Sequence, residues 1–80
     1  MTGRGRKGHL LNAVHAEVRT APGRTEVELT QAIYGSRFNY SRINIQTRRL
    51  LDFGLIRREG RGGRADPYRY YPASDWLTGD

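Results

Sequence analysis

A chain of 80 residues holds one domain at most and buries only about 60% of the surface its unfolded form exposes, so its core is small. With no cysteine there is no disulfide framework and no cysteine-based zinc site, and His9 and His15 cannot hold a metal alone. Fourteen basic residues, thirteen of them arginine, stand against eight acidic ones, a net charge of +6 that points to a polyanionic partner. No run of about 20 apolar residues could span a bilayer, and the basic start lacks the apolar core of a secretory signal, so the expected setting is the cytoplasm.

The positive charge is concentrated. From Arg37 to Arg69 nine arginines face Asp52, Glu59 and Asp66, a local net of +6, whereas His9 to Ser36 sets two arginines against three glutamates, a net of −1. The preference for arginine over lysine fits either a GC-rich genome or bidentate contact with phosphate and guanine edges.

Residues 1–8 (MTGRGRKG) combine three basic residues with three glycines and read as a flexible basic arm, either a plain free end or a strand that follows phosphates or a minor groove. Leu10, Val14 and Val18 recur at helical spacing, widened by Leu11 and Ala13, and predict helix 1, which Pro22-Gly23 ends. Thr25 followed by Glu28 has the spacing of a capping box and starts helix 2; Leu29, Ala32 and Ile33 supply its core face beside Val27, and Gly35 closes it.

A polar stretch, Ser36 to Ser41, leads to helix 3, capped by Asn39 or Ser41 and running to about Phe53. Ile43, Thr47 and Leu50 fall on its inward side with Leu51 at the margin, which leaves Arg42, Asn44, Ile45, Arg48 and Arg49 to point elsewhere. Gly54 ends the helix. Leu55 to Glu59 and Tyr68 to Tyr71 read as two strands of a hairpin around the eight-residue tip GRGGRADP, and Pro72 ends the second. Ser74 is a candidate cap for a last short turn through Trp76 and Leu77, with Trp76 either a lid on the core or part of a contact surface. The expected organisation is an arm at 1–8, a folded domain at 9–72 and a tail at 73–80.

Three helices followed by a hairpin, with LLDFGLIRREGRGGRADPYRYY at the end of helix 3, resembles the winged helix-turn-helix family of small bacterial, plasmid or phage transcriptional regulators, over about His9 to Tyr71. Leu50, Leu51, Gly54, Leu55 and Ile56 carry the resemblance. It implies an α+β fold, a two-stranded hairpin wing, and helix 3 in the DNA major groove. By that resemblance Ser41, Arg42, Asn44, Ile45 and Arg48 are the candidate base readers: arginine suits guanine O6 and N7, asparagine suits adenine N6 and N7, and Ile45 suits a thymine methyl. Arg37, Tyr40 and Arg49 are candidate backbone contacts. Arg61 and Arg64 are the wing candidates, with glycines at 60, 62 and 63 to let the backbone approach DNA. Thr47 stands where such helices commonly place a hydrophobe, and the loop from Ser36 to Tyr40 is longer than a tight turn. Both leave the register of the reading face open by about one residue.

No catalytic constellation is visible. Neither GRGRKG nor GRGGR follows a strand and opens a helix with a Lys-Ser/Thr pair, and the histidines and acids form no triad or carboxylate pair. The expected function is therefore a non-enzymatic, cofactor-free, nucleoid-associated regulator of transcription, acting as a repressor on double-stranded DNA. A homodimer through helix 1 and the tail is expected, and neither a membrane nor a small-molecule ligand. The alternatives are an architectural, replication or partition DNA-binding protein, and a protein- or RNA-interaction module.

Overall fold

A computed structural model describes residues 6–73 of the chain. The stripe of Leu10, Val14 and Val18 lies on α1, Arg6–Thr20, where both valines are fully buried and Leu10 packs against the core at partial exposure. The helix begins inside the segment expected to be an arm, because a packed helix extends at the gain of one hydrogen bond per residue, and Arg6 and Lys7 are good helix formers. It ends as predicted at Pro22-Gly23, with the Thr20 hydroxyl donating to the Ala16 carbonyl at 2.7 Å.

Gly23, at φ +92°, turns the chain so that its N–H donates to the Tyr70 carbonyl at 2.8 Å, and Arg24–Thr25 continues as strand β1. This strand corrects the expected two-stranded hairpin: the sheet has three antiparallel strands in the order β1-β3-β2, with β2 at Ile56–Glu59 and β3 at Arg69–Pro72. Two residues are too few to show an alternating pattern, and β1 exists only because β3 offers it an edge, pairing Arg24 with Tyr70 and Thr25 with Arg69.

Thr25 then caps α2, Glu26–Tyr34. Its hydroxyl accepts from the Glu28 N–H at 3.2 Å while its own N–H donates to the Glu28 carboxylate at 2.9 Å, both halves of the box. Gly35 closes the helix in the left-handed conformation. Leu29 is buried as expected, but Ala32 is exposed and Thr30 takes the inward position instead, its hydroxyl satisfied by the Glu26 carbonyl at 2.6 Å.

Helix α3, Tyr40–Asp52, starts after Asn39, which sits at the cap position without a side-chain cap bond. Ile43, Thr47 and Leu50 are buried. The Gly54 N–H donates to the Leu51 carbonyl and the Leu55 N–H to that of Leu50, a closure that delivers Ile56 into the core as the first residue of β2. β2 pairs with β3 through Ile56 opposite Pro72 and Arg58 opposite Tyr70. With Tyr70 on the same face, the core consists of Val14, Val18, Leu29, Ile43, Leu50, Ile56 and Tyr70, in which each buried aliphatic side chain contributes about 1.5–3 kcal/mol. Among the described residues no helix is long and apolar enough to cross a membrane. The turn expected around Ser74 and Trp76 lies outside the described residues.

Candidate nucleic-acid interface

The contacts on the inward side of α3 decide which of its side chains remain outward. Glu26 opens α2, where a carboxylate is favoured by the helix dipole, and it accepts hydrogen bonds from three places. Asn44 Nδ2 donates to both its oxygens at 3.0 Å, the Thr47 hydroxyl at 2.9 Å, and the Tyr70 hydroxyl at 2.6 Å. One carboxylate thus ties α2 to α3 and to β3. Burial, and after it the bond to Glu26, pushes the Tyr70 phenol up to about 12. The same charge, followed by desolvation, raises the Tyr40 phenol.

This arrangement explains the buried Thr47, whose hydroxyl has acceptors in both Glu26 and the Asn44 carbonyl at 3.0 Å. It also engages Asn44, expected as a base reader, inside the fold. The amide nitrogen that would face adenine is committed to Glu26, and the side chain is half-buried between α3 and α2. The expectation came from the family resemblance and the helical spacing, neither of which shows a carboxylate 18 residues upstream.

Ser41, Ile45 and Arg48, at i, i+4 and i+7, are exposed along the outer stripe of α3, and Ile45 keeps 55% of its surface in solvent. Arg42 and Arg49 are exposed along the edge toward α1 and α2, and Arg37 is exposed in the preceding loop. Tyr40 stands at the start of the helix and lines a cleft of about 390 Å³ with Glu26, Arg64 and Tyr68. The structure therefore brings Arg64, from the far end of the hairpin, to the start of α2 and α3. Every large hydrophobic side chain exposed among the described residues, from Tyr34 to Phe53, lies in or beside this arginine-rich segment, with Phe38 at 88% the most open.

The hairpin loop is ordered by its own backbone. Both the Arg61 and Gly62 N–H groups donate to the Asp66 carbonyl, and the Asp66 N–H returns to the Gly63 carbonyl. Two of the glycines expected to allow close approach to DNA serve the fold instead. A Cβ on Gly60, at φ +109°, would lie 2.7 Å from the Pro67 carbonyl oxygen, and one on Gly62 would lie 2.5 Å from the Tyr68 ring. Of the three, Gly63 alone has open space around it.

Sequence reading missed Arg58 and Tyr68. The Arg58 guanidinium stacks 3.9 Å from the centroid of the Tyr68 ring and lines a recess of about 270 Å³ with Arg48, Leu51 and Asp52. A flat ring below a guanidinium holds it in place without neutralising it. The alternation of β2 could have indicated it, since Arg58 shares the helix-facing side of the strand with Ile56.

No protein-family model, curated protein or solved structure matches the chain.

Of the nine arginines from Arg37 to Arg69, Arg57 pairs with Glu59 and lies 4.6 Å from the Tyr71 centroid, Arg58 stacks on Tyr68, and Arg69 donates to the Gly23 carbonyl. The remaining six, Arg37, Arg42, Arg48, Arg49, Arg61 and Arg64, are all exposed and have no side-chain partner among the described residues. His15 is half-buried on α1, its imidazole held below the ordinary value by burial and then by Arg19, and no group of three potential metal ligands occurs among the described residues.

Proposed function

We propose that the chain is a winged-helix domain that binds double-stranded DNA and regulates transcription by occupying a specific operator, as a repressor. The observation that carries this reading is the set of six exposed arginines, without a side-chain partner among the described residues, shared between α3, the loop before it and the β2–β3 loop. A helix with guanidinium groups on its exposed side fits the major groove, and arginines on a loop beside it fit the flanking backbone or minor groove.

In this reading Arg42 and Arg48 read guanine, Ile45 meets a thymine methyl and Ser41 serves either base edge. Arg37, Tyr40 and Arg49 hold phosphates, joined by the stacked Arg58, while Arg61 and Arg64 reach the backbone beside the wing. The start of α2 takes no phosphate, because Thr25 and Glu28 close its capping box and the Glu26 carboxylate stands beside it. A single winged helix reads a short site, so two copies on an inverted repeat extend it.

Selection from a random duplex pool at about 0.15 M salt, where non-specific phosphate binding is already weakened, tests the reading. The expected result is a recovered motif bound at least about 10³-fold more tightly than random sequence. Retention without a motif would make the protein architectural, and no retention would remove DNA as its partner.

A further inference from the structure

Tyr68 stands just before β3 and packs against the core at partial exposure. Two separate parts of the basic surface rest on its ring. The Arg58 guanidinium lies over the face, 3.9 Å from the centroid, and Arg58 in turn shares a recess with Arg48 of α3. The Gly62 backbone passes the phenol end so closely that a Cβ there would lie 2.5 Å from Cε2 and 2.7 Å from Cζ. The loop that meets the ring is closed on itself: the Arg61 and Gly62 N–H groups donate to the Asp66 carbonyl, and the Asp66 N–H donates to the Gly63 carbonyl. Arg61 and Arg64 are therefore carried on one backbone frame, which takes its orientation from the ring it rests against. A guanidinium over a ring likewise has its plane fixed while it keeps its charge and its outward donors.

We infer that Tyr68 is a positioning residue that joins the hairpin loop to the outward side of α3: its face sets Arg58 beside Arg48, and its phenol end sets the loop that carries Arg61 and Arg64. The consequence rests on the DNA-binding reading. One ring orients two groups of arginines, so both are in place before a duplex arrives and neither has to be ordered when it binds. Ordering a rotamer-rich side chain at an interface costs affinity, and preorganisation removes that cost. Tyr68 acts through the arginines and needs no contact with DNA of its own.

The test compares Tyr68→Phe, which keeps the ring, with Tyr68→Leu, which keeps an apolar side chain and removes the ring face. In the free full chain, NMR is expected to show the Arg58 δ and ε protons shifted upfield by the ring in the parent and in Tyr68→Phe, with the shift lost in Tyr68→Leu. Against a selected duplex, Tyr68→Phe is expected to match the parent. Tyr68→Leu is expected to bind about tenfold more weakly, with a shallower slope of log affinity against log salt. Loss through partial unfolding would scale affinity alike at every salt concentration and leave that slope unchanged. Arg58→Ala and Arg61→Ala each weaken the parent, and in the Tyr68→Leu background each is expected to cost about half as much or less in log affinity. Gly62→Ala, at an exposed position, forces the loop off the ring. It is expected to lower the cost of Arg61→Ala while the Arg58 proton shifts stay in place, and it carries the test if Tyr68→Leu fails to fold. Arginine costs that are the same with and without the ring, an Arg58 shift that survives Tyr68→Leu, or equal losses in Tyr68→Phe and Tyr68→Leu overturn the inference. Arg58 shifts that follow the ring in a chain that binds no duplex contradict the DNA reading and leave the joint between ring and guanidinium standing.

Discussion

In α1, β1 and α2 the acidic side chains are occupied by the fold: Glu17 holds Arg24 at 2.6 Å, Glu26 gathers Asn44, Thr47 and Tyr70, and Glu28 completes the cap on α2. From the loop before α3 onward the positive side chains are in excess, and six arginines are exposed with no carboxylate taking them up among the described residues. The two regions share one core, so burial does not separate them. What separates them is whether a charge has a partner inside the molecule. Charges satisfied internally hold elements together, and charges left outward are available to a polyanion.

Substitutions that sharpen this contrast differ in what they change. The largest effect is expected at Glu26→Ala, which strips acceptors from donors on α3 and β3 and destabilises the fold by about 2–3 kcal/mol, measured by urea unfolding. Glu26→Gln, which keeps one oxygen acceptor, costs less. Arg48→Ala is the opposite case: it weakens specific DNA binding by about 1–3 kcal/mol and relaxes base preference at one position, while the unfolding free energy stays within about 0.5 kcal/mol of the parent. Equal loss of stability and binding at both sites would abolish the distinction between the regions.

The cap of α2 and the helix stops were legible in the sequence because they are local, whereas Asn39, expected to cap α3, makes no side-chain cap bond. Thr25 with Glu28, Gly35 and Gly54 each act within a few residues, and each closes or opens the helix that the pattern indicated. The arginines of α3 and the hairpin were legible because exposure needs no partner. Three features were not. Strand β1 is two residues long and depends on β3, where Thr25 meets Arg69 from far along the chain. Asn44 turns inward to a carboxylate from another helix. Gly60 and Gly62 are needed by Pro67 and Tyr68 across the loop, although their composition suggested contact with an outside partner. All three are relations between distant positions, which periodicity does not record.

Smaller effects follow from the same contrast. The Tyr70 phenol lies near 12 in the folded chain and at 10 in its ordinary environment, so folding favours the neutral form. The unfolded chain then loses its proton first, and stability falls as pH rises from about 10 to 12. Tyr70→Phe reduces that slope in unfolding measured across the window, leaving the part contributed by the raised Tyr40 phenol. Arg61→Ala is expected to reduce the slope of log affinity against log salt by about one and to weaken binding evenly across sequences, measured by fluorescence anisotropy. Arg24→Ala breaks a partly exposed pair and costs no more than about 1 kcal/mol of stability, with DNA affinity unchanged.

The most direct test of the division is a titration of the ¹⁵N-labelled chain with a selected duplex, following the amides of both regions. The account predicts shifts concentrated at Ser41, Arg42, Ile45 and Arg48 on α3 and at Arg61 to Arg64 on the hairpin loop, with Glu17, Thr20 and Arg24 unmoved. Shifts centred on α1 and β1, with α3 unaffected, would contradict it.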